Sequence, residues 1–300
     1  MRIQKSLLAG LILSLTTIFT FPVHAGEDHA ISTNRHCLWK VDGSHSVVYL
    51  LGSIHLLKRD DYPLDRPIET AFTNAQVAVF ETDMDKLEQP EMQMTLMGKA
   101  QLPEGETLEQ HLTPATYALF SNHVSRAGLP LAMFNRFKPF IAASAIAVIE
   151  LQKLELDPAF GVDKYFSGRA AKEGKRVIPL ESVDFQIDLL TGFSREEGEL
   201  VMKTSLADMD KMMKEFKDII NSWRTGNAAK LETLLNEATR EAPAIYKRLV
   251  ADRNRNWIPQ IEKLLAGDKN AIVVVGAAHL VGGEGVVELL KKKGLIVSQL

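Results

Sequence analysis

The sequence predicts an α/β protein with a mixed, mostly parallel central sheet, flanked by helices and interrupted by a large helical insertion. Apolar, β-branched runs at 47–51 and 271–275 are typical of buried strands. A strand, a helix and a second strand follow one another between residues 46 and 81, which predicts a right-handed βαβ unit with parallel strands. Helical periodicity then covers about residues 88–173. This stretch is too long for one crossover, so we expect a helical cap beside the sheet.

The first part of the domain is predicted to be a hairpin that leads into the βαβ unit. Residues 38–41 alternate between apolar and polar like a short strand, and Asp42-Gly43 is a favourable hairpin turn before the strand at 46–52. Asp65 is suited to cap the following helix, and Pro67 lies close to its start, where the missing N–H is harmless.

The rest of the chain is predicted to be mostly helical, with short strands between the helices. Apolar residues at spacings of three and four predict helices at 107–126, 135–153 and 157–172. A short strand then ends on Glu181, and later helices lead to the strand at 271–275. A last helix opens after Gly282, and residues 294–297 form a final strand.

Two of the predicted strands end in the same motif, Gly-x-x-His. The first is Gly52-Ser53-Ile54-His55 and the second is Gly276-Ala277-Ala278-His279, while a third strand ends on Glu81. Because open α/β sheets bind ligands at the carboxyl ends of their strands, we expect His55, Glu81 and His279 to meet there. The βαβ unit further predicts that His55 and Glu81 leave adjacent strands.

Two histidines and a glutamate are typical of a divalent-metal site that keeps open positions for water or substrate. Histidine and carboxylate ligands without thiolate do not distinguish among manganese, cobalt, zinc and iron. Glu181 could serve as a fourth ligand or as a base. Arg253 interrupts the apolar stripe of a predicted helix, so we expect it to form an internal salt bridge or to point into a polar site as an oxyanion clamp.

Small and polar residues near these candidates are predicted to let substrate approach the backbone. They are Gly52, Ser53, Gly276, Ala277 and Asn254. The sequence contains no His-Glu-x-x-His, no Gly-x-Ser-x-Gly and no Gly-x-x-x-x-Gly-Lys-Ser/Thr motif, so the usual zincin, α/β-hydrolase and nucleotide-hydrolase readings lose their main support. The lone Cys37 cannot form an internal disulfide and is expected to be a buried side chain at the start of a strand.

Composition and the first residues bear on where the protein works. A charged fraction of 24% argues against a multi-span membrane protein, and a net charge of −3 offers no basic surface for nucleic acid. Residues 1–25 have a cationic start, an apolar run and a Val23-His24-Ala25 cleavage site, which predicts a signal peptide. We therefore expect an exported protein, periplasmic in a Gram-negative cell, with no stable membrane anchor after cleavage. A flexible leader at 26–35 and a single domain at 36–300 would follow.

The motifs resemble those of the TraB/GumN family, also called TraB/PrgY/GumN, which includes the animal Tiki proteins. The matching segments are Leu50-Leu51-Gly52-Ser53-Ile54-His55, Phe80-Glu81-Thr82-Asp83, Gly161-Val162-Asp163, Leu180-Glu181 with Gln186, Arg253-Asn254, and Val275-Gly276-Ala277-Ala278-His279-Leu280-Val281-Gly282. The resemblance implies a single α/β domain. By analogy with Tiki, it also implies divalent-metal-dependent peptidase activity that uses His55, Glu81 and His279.

The resulting hypothesis is an exported metal-dependent hydrolase, peptidase-like, that acts on an unidentified peptide or small molecule. His55, Glu81 and His279 would hold the metal, Glu181 would assist proton transfer and Arg253 would stabilise negative charge. One alternative is a periplasmic protein that binds a metal, haem or a small ligand without turnover. Another is a regulatory interaction protein with a vestigial site.

Overall fold

A six-stranded sheet forms the centre of the molecule, in the strand order β4-β3-β5-β2-β1-β6. The computed structural model describes residues 35–207, 209–240 and 242–300. The predicted signal peptide and residues 26–34 of the predicted leader therefore lie outside the described residues. The strands are β1 (Leu38–Asp42), β2 (Val47–Ser53), β3 (Val77–Phe80), β4 (Arg176–Pro179), β5 (Ala271–Gly276) and β6 (Val297–Gln299).

The sheet contains both parallel and antiparallel pairings. β4, β3, β5 and β2 pair in parallel, whereas β1 pairs antiparallel with both β2 and β6. The predicted α/β class and mixed sheet are confirmed, but the prediction that the sheet is mostly parallel is wrong. Two of its five strand pairings are antiparallel, because the Asp42-Gly43 turn folds β1 back along β2 and the chain end then adds β6 on the other side of β1.

The predicted neighbour relation between the first two parallel strands is also wrong. β5 lies between β2 and β3 and pairs in parallel with both of them. All six residues of β5 are buried, so this apolar strand takes the most sheltered position in the sheet. β5 ends just before His279. Its central position therefore places the second Gly-x-x-His motif between the end of β2, which precedes His55, and the end of β3, which precedes Glu81.

Helices surround the sheet and make up most of the rest of the chain. They are α1 (Arg66–Asn74), α2 (Met84–Leu87), α3 (Pro90–Ala100), α4 (Pro114–Arg126), α5 (Pro139–Gln152), α6 (Val162–Lys172), α7 (Val183–Thr191), α8 (Arg195–Leu206), α9 (Met209–Arg224), α10 (Ala228–Arg240), α11 (Pro243–Tyr246), α12 (Asp252–Leu265) and α13 (Val286–Lys292). No helix in the described part of the chain is long and apolar enough to cross a membrane.

The chain between β3 and β4 is helical, as its periodicity predicts. α4 and α5 begin at Pro114 and Pro139, later than predicted, because proline fits the first turn of a helix, where its missing N–H leaves no bond unmade. α5 is buried on nearly every side. The role of this segment as a cap over the sheet stays a prediction.

One break in regular helix geometry lies directly before the candidate site. Residues Lys247–Ala251 form a π-helical turn between α11 and α12. Such turns are rare and are frequently found at functional sites. The turn leads into α12, whose second residue is Arg253, and the Leu249 carbonyl within the turn accepts a hydrogen bond from Arg253 Nη1 at 2.9 Å.

Candidate active site

Three neighbouring strands end together at one edge of the sheet. Ser53 at the end of β2 is aligned with Gly276 at the end of β5, and Phe80 at the end of β3 is aligned with Val274. His55, Glu81 and His279 follow within three residues of these strand ends. The sheet thus brings the predicted residues to one edge, with 3.9 Å between His279 Nε2 and Glu81 Oε1.

Glu181 joins this group from the edge strand β4. The backbone N–H of Glu181 donates to the carbonyl of Glu81 at 2.9 Å, which continues the β3–β4 pairing beyond the strands themselves. The two carboxylates therefore leave the sheet side by side. Glu81 is fixed from the other side as well, because the Gly276 N–H at the end of β5 donates to Glu81 Oε1 at 2.7 Å.

Arg253 is buried between these two carboxylates, and all five of its N–H groups are engaged by the protein. Nε donates to Glu181 Oε1 at 2.8 Å, and Nη2 donates to Glu81 Oε2 at 2.6 Å and to Glu181 Oε2 at 2.8 Å. Nη1 donates to the Leu249 carbonyl and, at 3.1 Å, to His279 Nε2. The predicted internal salt bridge of Arg253 is present, and no N–H of the guanidinium is left for a substrate oxygen.

Glu181 is equally well bound. Besides the bonds from Arg253, its carboxylate accepts from Trp257 Nε1 at 2.9 Å and from Gln186 Nε2 at 3.1 Å. Arg253 and Trp257 are four residues apart on α12, so they lie on one face of that helix and reach the same carboxylate. Glu181 is therefore fixed in place by several donors, and its carboxylate in turn fixes the position of Arg253.

The charges in this cluster shift the pKa values of its members strongly. Burial alone would raise the pKa of Glu81, but the positive charge of Arg253, with contributions from His279, His55 and the Gly276 N–H, lowers it to about 2. Burial opposes the charge on Arg253, yet Glu81 and Glu181 outweigh that cost and raise the pKa of the guanidinium. Glu81 is therefore a carboxylate at neutral pH.

His279 is held as a neutral imidazole. Because arginine can only donate, the bond from Arg253 Nη1 requires a lone pair on His279 Nε2. The ring proton is then on Nδ1, which donates to Asn254 Oδ1 at 2.7 Å. Burial, followed by the neighbouring charge of Arg253, lowers the pKa of His279 to about 3.

His55 has a carboxylate for its partner and an unused nitrogen. Its Nδ1 donates to Asp163 Oδ1 at 2.7 Å, whereas Nε2 is buried and has no hydrogen-bond partner. Burial alone would lower the pKa of His55, but Asp163 and, less strongly, Glu81 outweigh it, so the pKa is raised. His55 therefore offers a buried, unpartnered nitrogen beside an ionised carboxylate.

Asp163 reaches His55 because the chain before α6 passes very close to the end of β2. Val162 N donates to the carbonyl of Ile54 at 3.0 Å. A Cβ atom on Gly161 would lie 2.7 Å from the His55 carbonyl oxygen, so this position has no room for a side chain. With Gly161 at the N-cap, Asp163 lies in the first turn of α6, directly opposite the imidazole.

A pocket opens beside His55 and Glu81. It encloses about 420 Å³ of space, including open solvent at its mouth. Besides those two residues, it is lined by Ser53, Phe80, Thr82, Met84, Leu87, Asp163, Gln186 and Val274. Six of the ten lining residues are polar or charged and four are apolar, so the pocket offers several polar groups to a ligand.

The sequence implies a divalent ion at this site, and the donor atoms permit a direct test of fit. His55 fits, because its Nδ1–H is held by a carboxylate and its Nε2 is free, an arrangement that orients metal-binding histidines. Glu81 is ionised, and three protein donors occupy three of the roughly four lone-pair sites of its carboxylate, which leaves one for an ion. His279 differs, since its only lone pair accepts from Arg253. Among the described residues, no group of three or more His, Cys, Asp or Glu side chains is arranged to hold an ion. The fit is therefore good for His55 and Glu81, and His279 can join them only by losing its bond from Arg253.

Most of the residues predicted to let substrate approach the backbone make contacts within the protein, and their approach by substrate stays a prediction. A Cβ on Gly52 would meet Cys37 Sγ at 2.7 Å and Ala277 Cα at 3.1 Å, so this glycine allows close packing, and Cys37 is buried as predicted. Ala277 is fully buried, and Asn254 binds His279 and the Glu284 carbonyl. Ser53 differs from these residues because it lines the pocket.

Three residues with direct contacts in this cluster were given no role from sequence, and one of them, Gln186, donates to both Glu81 and Glu181. Asp163 is the partner of His55, and Trp257 is a partner of Glu181. The sequence carries a signal for Asp163, because Gly161-Val162-Asp163 is among the motifs of the family resemblance. Trp257 reads as an ordinary apolar position of α12, and only its indole N–H separates it from the rest of the stripe.

Comparison with known proteins agrees with this arrangement of motifs. Residues 37–299 match the model of the TraB/PrgY/gumN family. The chain belongs to this family. It is 23% identical over 243 residues to proteins described as "Uncharacterized protein YbaP" from Escherichia coli (strain K12) and Shigella flexneri, with 81% of this chain and 87% of each relative covered.

A third relative is less similar in sequence. An "Uncharacterized protein" of Treponema pallidum (strain Nichols) is 19% identical over 283 residues, with 89% of this chain and 83% of the relative covered. No solved structure matches the chain. The predicted family is thus confirmed over nearly the whole described chain.

Proposed function

We propose that this chain is a divalent-metal-dependent hydrolase with peptidase-like activity, and that the reaction takes place in the pocket beside His55 and Glu81. The observation that carries this proposal is His55 Nε2, a buried ring nitrogen that lines a pocket and has no partner in the protein. Leaving such a nitrogen unsatisfied costs stability, so its retention favours a ligand that completes it.

Different residues of the protein would orient the metal ligands and bind the ion. Asp163 fixes the His55 ring so that Nε2 is available to the ion, and Glu81 supplies an ionised carboxylate. When bound, a divalent ion polarises a carbonyl oxygen and makes a water molecule acidic near neutral pH. We keep His279 as a candidate third ligand, and its bond from Arg253 makes it the weakest of the three.

Arg253 and Glu181 support this proposal as positioning residues. Every N–H of Arg253 is bound by the protein, and Glu181 accepts from Arg253, Trp257 and Gln186. We therefore assign them the task of holding Glu81 and His279 in place, in preference to proton transfer by Glu181 and an oxyanion contact by Arg253. Peptides are the proposed substrate class because the family resemblance to Tiki implies them.

The test combines metal content with cleavage of an internally quenched, random-sequence peptide library by the mature protein. We expect a bound divalent ion and cleavage that stops when the ion is chelated and returns when it is restored. His55→Ala should lower metal affinity by more than the roughly 10–100-fold expected for a residue that only orients a ligand. His111→Ala is the matched control, because His111 binds Glu106 outside the pocket.

The same measurements decide among the alternatives. An equal loss of metal in His279→Ala would make His279 a true third ligand, and a clearly smaller loss would limit the ion to His55 and Glu81. Metal uptake without cleavage of any peptide would support a binding protein in place of a hydrolase. Cleavage that persists after complete metal removal, yet is lost in His55→Ala, would refute the metal and make His55 a general base.

We further propose that the protein is exported. The support lies in residues 1–25, where a cationic start, an apolar run and the Val23-His24-Ala25 site form a signal-peptide pattern. Fractionation of cells that express the full chain should place the processed protein outside the cytoplasm, with Gly26 as its first residue. Ala25→Lys should block this processing, because signal peptidase requires a small residue there. Recovery of an unprocessed wild-type chain in the cytoplasm would refute export.

A further inference from the structure

Ser53 presents a second unpartnered polar atom in the pocket of His55. Ser53 has no exposed surface, and its Oγ has no hydrogen-bond partner. It lies at the end of β2, two residues before His55, and both residues line the pocket. A buried hydroxyl with no partner is unfavourable, so its presence in the same pocket as the unpartnered His55 Nε2 points to a ligand that binds both.

The other side-chain donors of the pocket are already occupied. Thr82 Oγ1 donates to the Glu181 carbonyl at 3.3 Å, and the Gln186 amide donates to the carboxylates of Glu81 and Glu181. The His55 Nδ1–H is held by Asp163. Within the described part of the chain, the Ser53 hydroxyl is thus the one side-chain donor lining this pocket that has no acceptor in the protein.

Hydrolysis of a peptide bond requires such a donor. Water adds to the carbonyl carbon, the C–N bond breaks, one water proton goes to the leaving amine, and negative charge develops meanwhile on the carbonyl oxygen. A donor aimed at that oxygen is among the largest contributions to catalysis in acyl transfer. Arg253 cannot supply it, because its five N–H groups are bound by the protein.

We propose that the Ser53 hydroxyl donates a hydrogen bond to the substrate oxygen that becomes negatively charged in the reaction. The hydroxyl keeps its proton throughout and forms no covalent bond. This assignment rests on the proposed hydrolase function and deepens it, since it names the residue that stabilises the transition state. Because such a bond is stronger in the transition state than in the bound substrate, it raises kcat more than it lowers KM.

The role predicts an unusual combination of stability and activity. Removal of a satisfied buried hydroxyl destabilises a protein, whereas removal of an unsatisfied one is neutral or stabilising. Ser53→Ala should therefore leave Tm unchanged or raise it. The same variant should lower kcat on the best-cleaved library peptide by about 10²–10³-fold, the loss typical for one such donor, with KM nearly unchanged.

Two further variants separate this role from a structural one. Ser53→Thr keeps a hydroxyl and should recover most of the lost kcat. Ser205→Ala is the matched control, because Ser205 is also fully buried with an unpartnered Oγ but lies on α8, outside the pocket. We expect Ser205→Ala to resemble Ser53→Ala in Tm and to keep the wild-type kcat.

The outcomes that overturn the assignment are distinct from those that overturn the function. Cleavage by the wild type with an equal kcat in Ser53→Ala would refute the role of Ser53 alone. A fall in Tm of Ser53→Ala with losses of kcat and secondary structure that follow it would show a packing role and refute the assignment too. A wild-type protein that cleaves nothing in the library would refute the hydrolase function, and the donor role with it.

Discussion

The two Gly-x-x-His motifs look equivalent in sequence but differ in the folded protein. His55 has a carboxylate, Asp163, on Nδ1 and nothing on Nε2. His279 has a neutral amide, Asn254, on Nδ1 and a guanidinium N–H on Nε2. As a result, the pKa of His55 is raised and the pKa of His279 is lowered to about 3.

The difference arises from the helices that face the two strand ends. The start of α6 brings a negative charge to His55, whereas the start of α12 brings a positive charge, Arg253, to His279. The motif therefore delivers an imidazole to the sheet edge, and the facing helix decides whether that imidazole is open to a ligand or bound within the protein. We infer that His55 belongs to the pocket and His279 to the charged cluster behind it.

The largest expected effect comes from removing the positive charge of Arg253, which distinguishes the surroundings of His279 from those of His55. Arg253→Met would leave the ionised Glu81 and Glu181 buried without their partner, and we expect it to lower the free energy of unfolding by about 3–5 kcal/mol. Urea unfolding followed by circular dichroism measures the loss. His279 Nε2 would lose its donor and the nearby positive charge, so the pKa of His279 should rise above about 3, while burial still holds it below the ordinary imidazole value.

Arg255→Met is the matched control for this change. Arg255 lies two residues further along α12, is 44% exposed and forms salt bridges with Asp252 and Glu284. Exposed pairs of this kind contribute about 0–1 kcal/mol. Equal losses of stability in the two variants would contradict the view that Arg253 stabilises the protein by pairing with the buried Glu81 and Glu181.

A smaller effect is expected when the His55 side is made to resemble the His279 side. Asp163→Asn replaces the carboxylate beside His55 Nδ1 with an amide, as His279 has. We expect metal affinity or kcat/KM to fall by about 10–100-fold, the usual loss when a residue that orients a ligand is changed. Removal of the carboxylate should also lower the pKa of His55 from its raised value.

Asn254→Ala serves as the comparison for Asp163→Asn, because it removes the partner of His279 Nδ1 without touching the pocket. We expect it to affect stability more than metal affinity. The reverse pattern, with metal affinity lost in Asn254→Ala and retained in Asp163→Asn, would contradict the assignment of His55 to the ligand-binding side.

Much of this site could be predicted because its residues follow directly from strand ends. Apolar runs locate β2, β3 and β5, and the residues after them are then His55, Glu81 and His279, whatever the order of the strands. The burial of Arg253 was also predictable, since it occupies an apolar position of the helix stripe. Local sequence pattern determines which residues reach the sheet edge.

The partners at that edge could not be predicted, because they come from distant parts of the chain. Asp163 is 108 residues from His55, and Arg253 is 172 residues from Glu81. The strand order failed for a similar reason, since the placement of β5 between β2 and β3 depends on pairing across more than 190 residues of sequence. The difference between His55 and His279 is a product of these long-range contacts.

The smallest expected effect is a difference between the acid titrations of His55 and His279 in the metal-free protein. His55, beside Asp163 and Glu81, should take up a proton above the ordinary histidine pKa of 6.5, while His279, which is buried beside Arg253 and His55, should stay neutral to about pH 3.

The two rings affect stability with opposite sign. His55 stabilises the fold below pH 6.5, and this contribution is lost as the pH rises through its folded pKa. His279 binds its proton at about pH 6.5 only when unfolded, so it destabilises the fold as the pH falls below that value. Because the two contributions vary on opposite sides of pH 6.5, the stability that these two rings confer should be greatest near that pH, and the two ring ¹⁵N titrations measured by NMR should be widely separated. Titration of His279 before His55, or of both together, would contradict the division of the site into an open and a bound histidine.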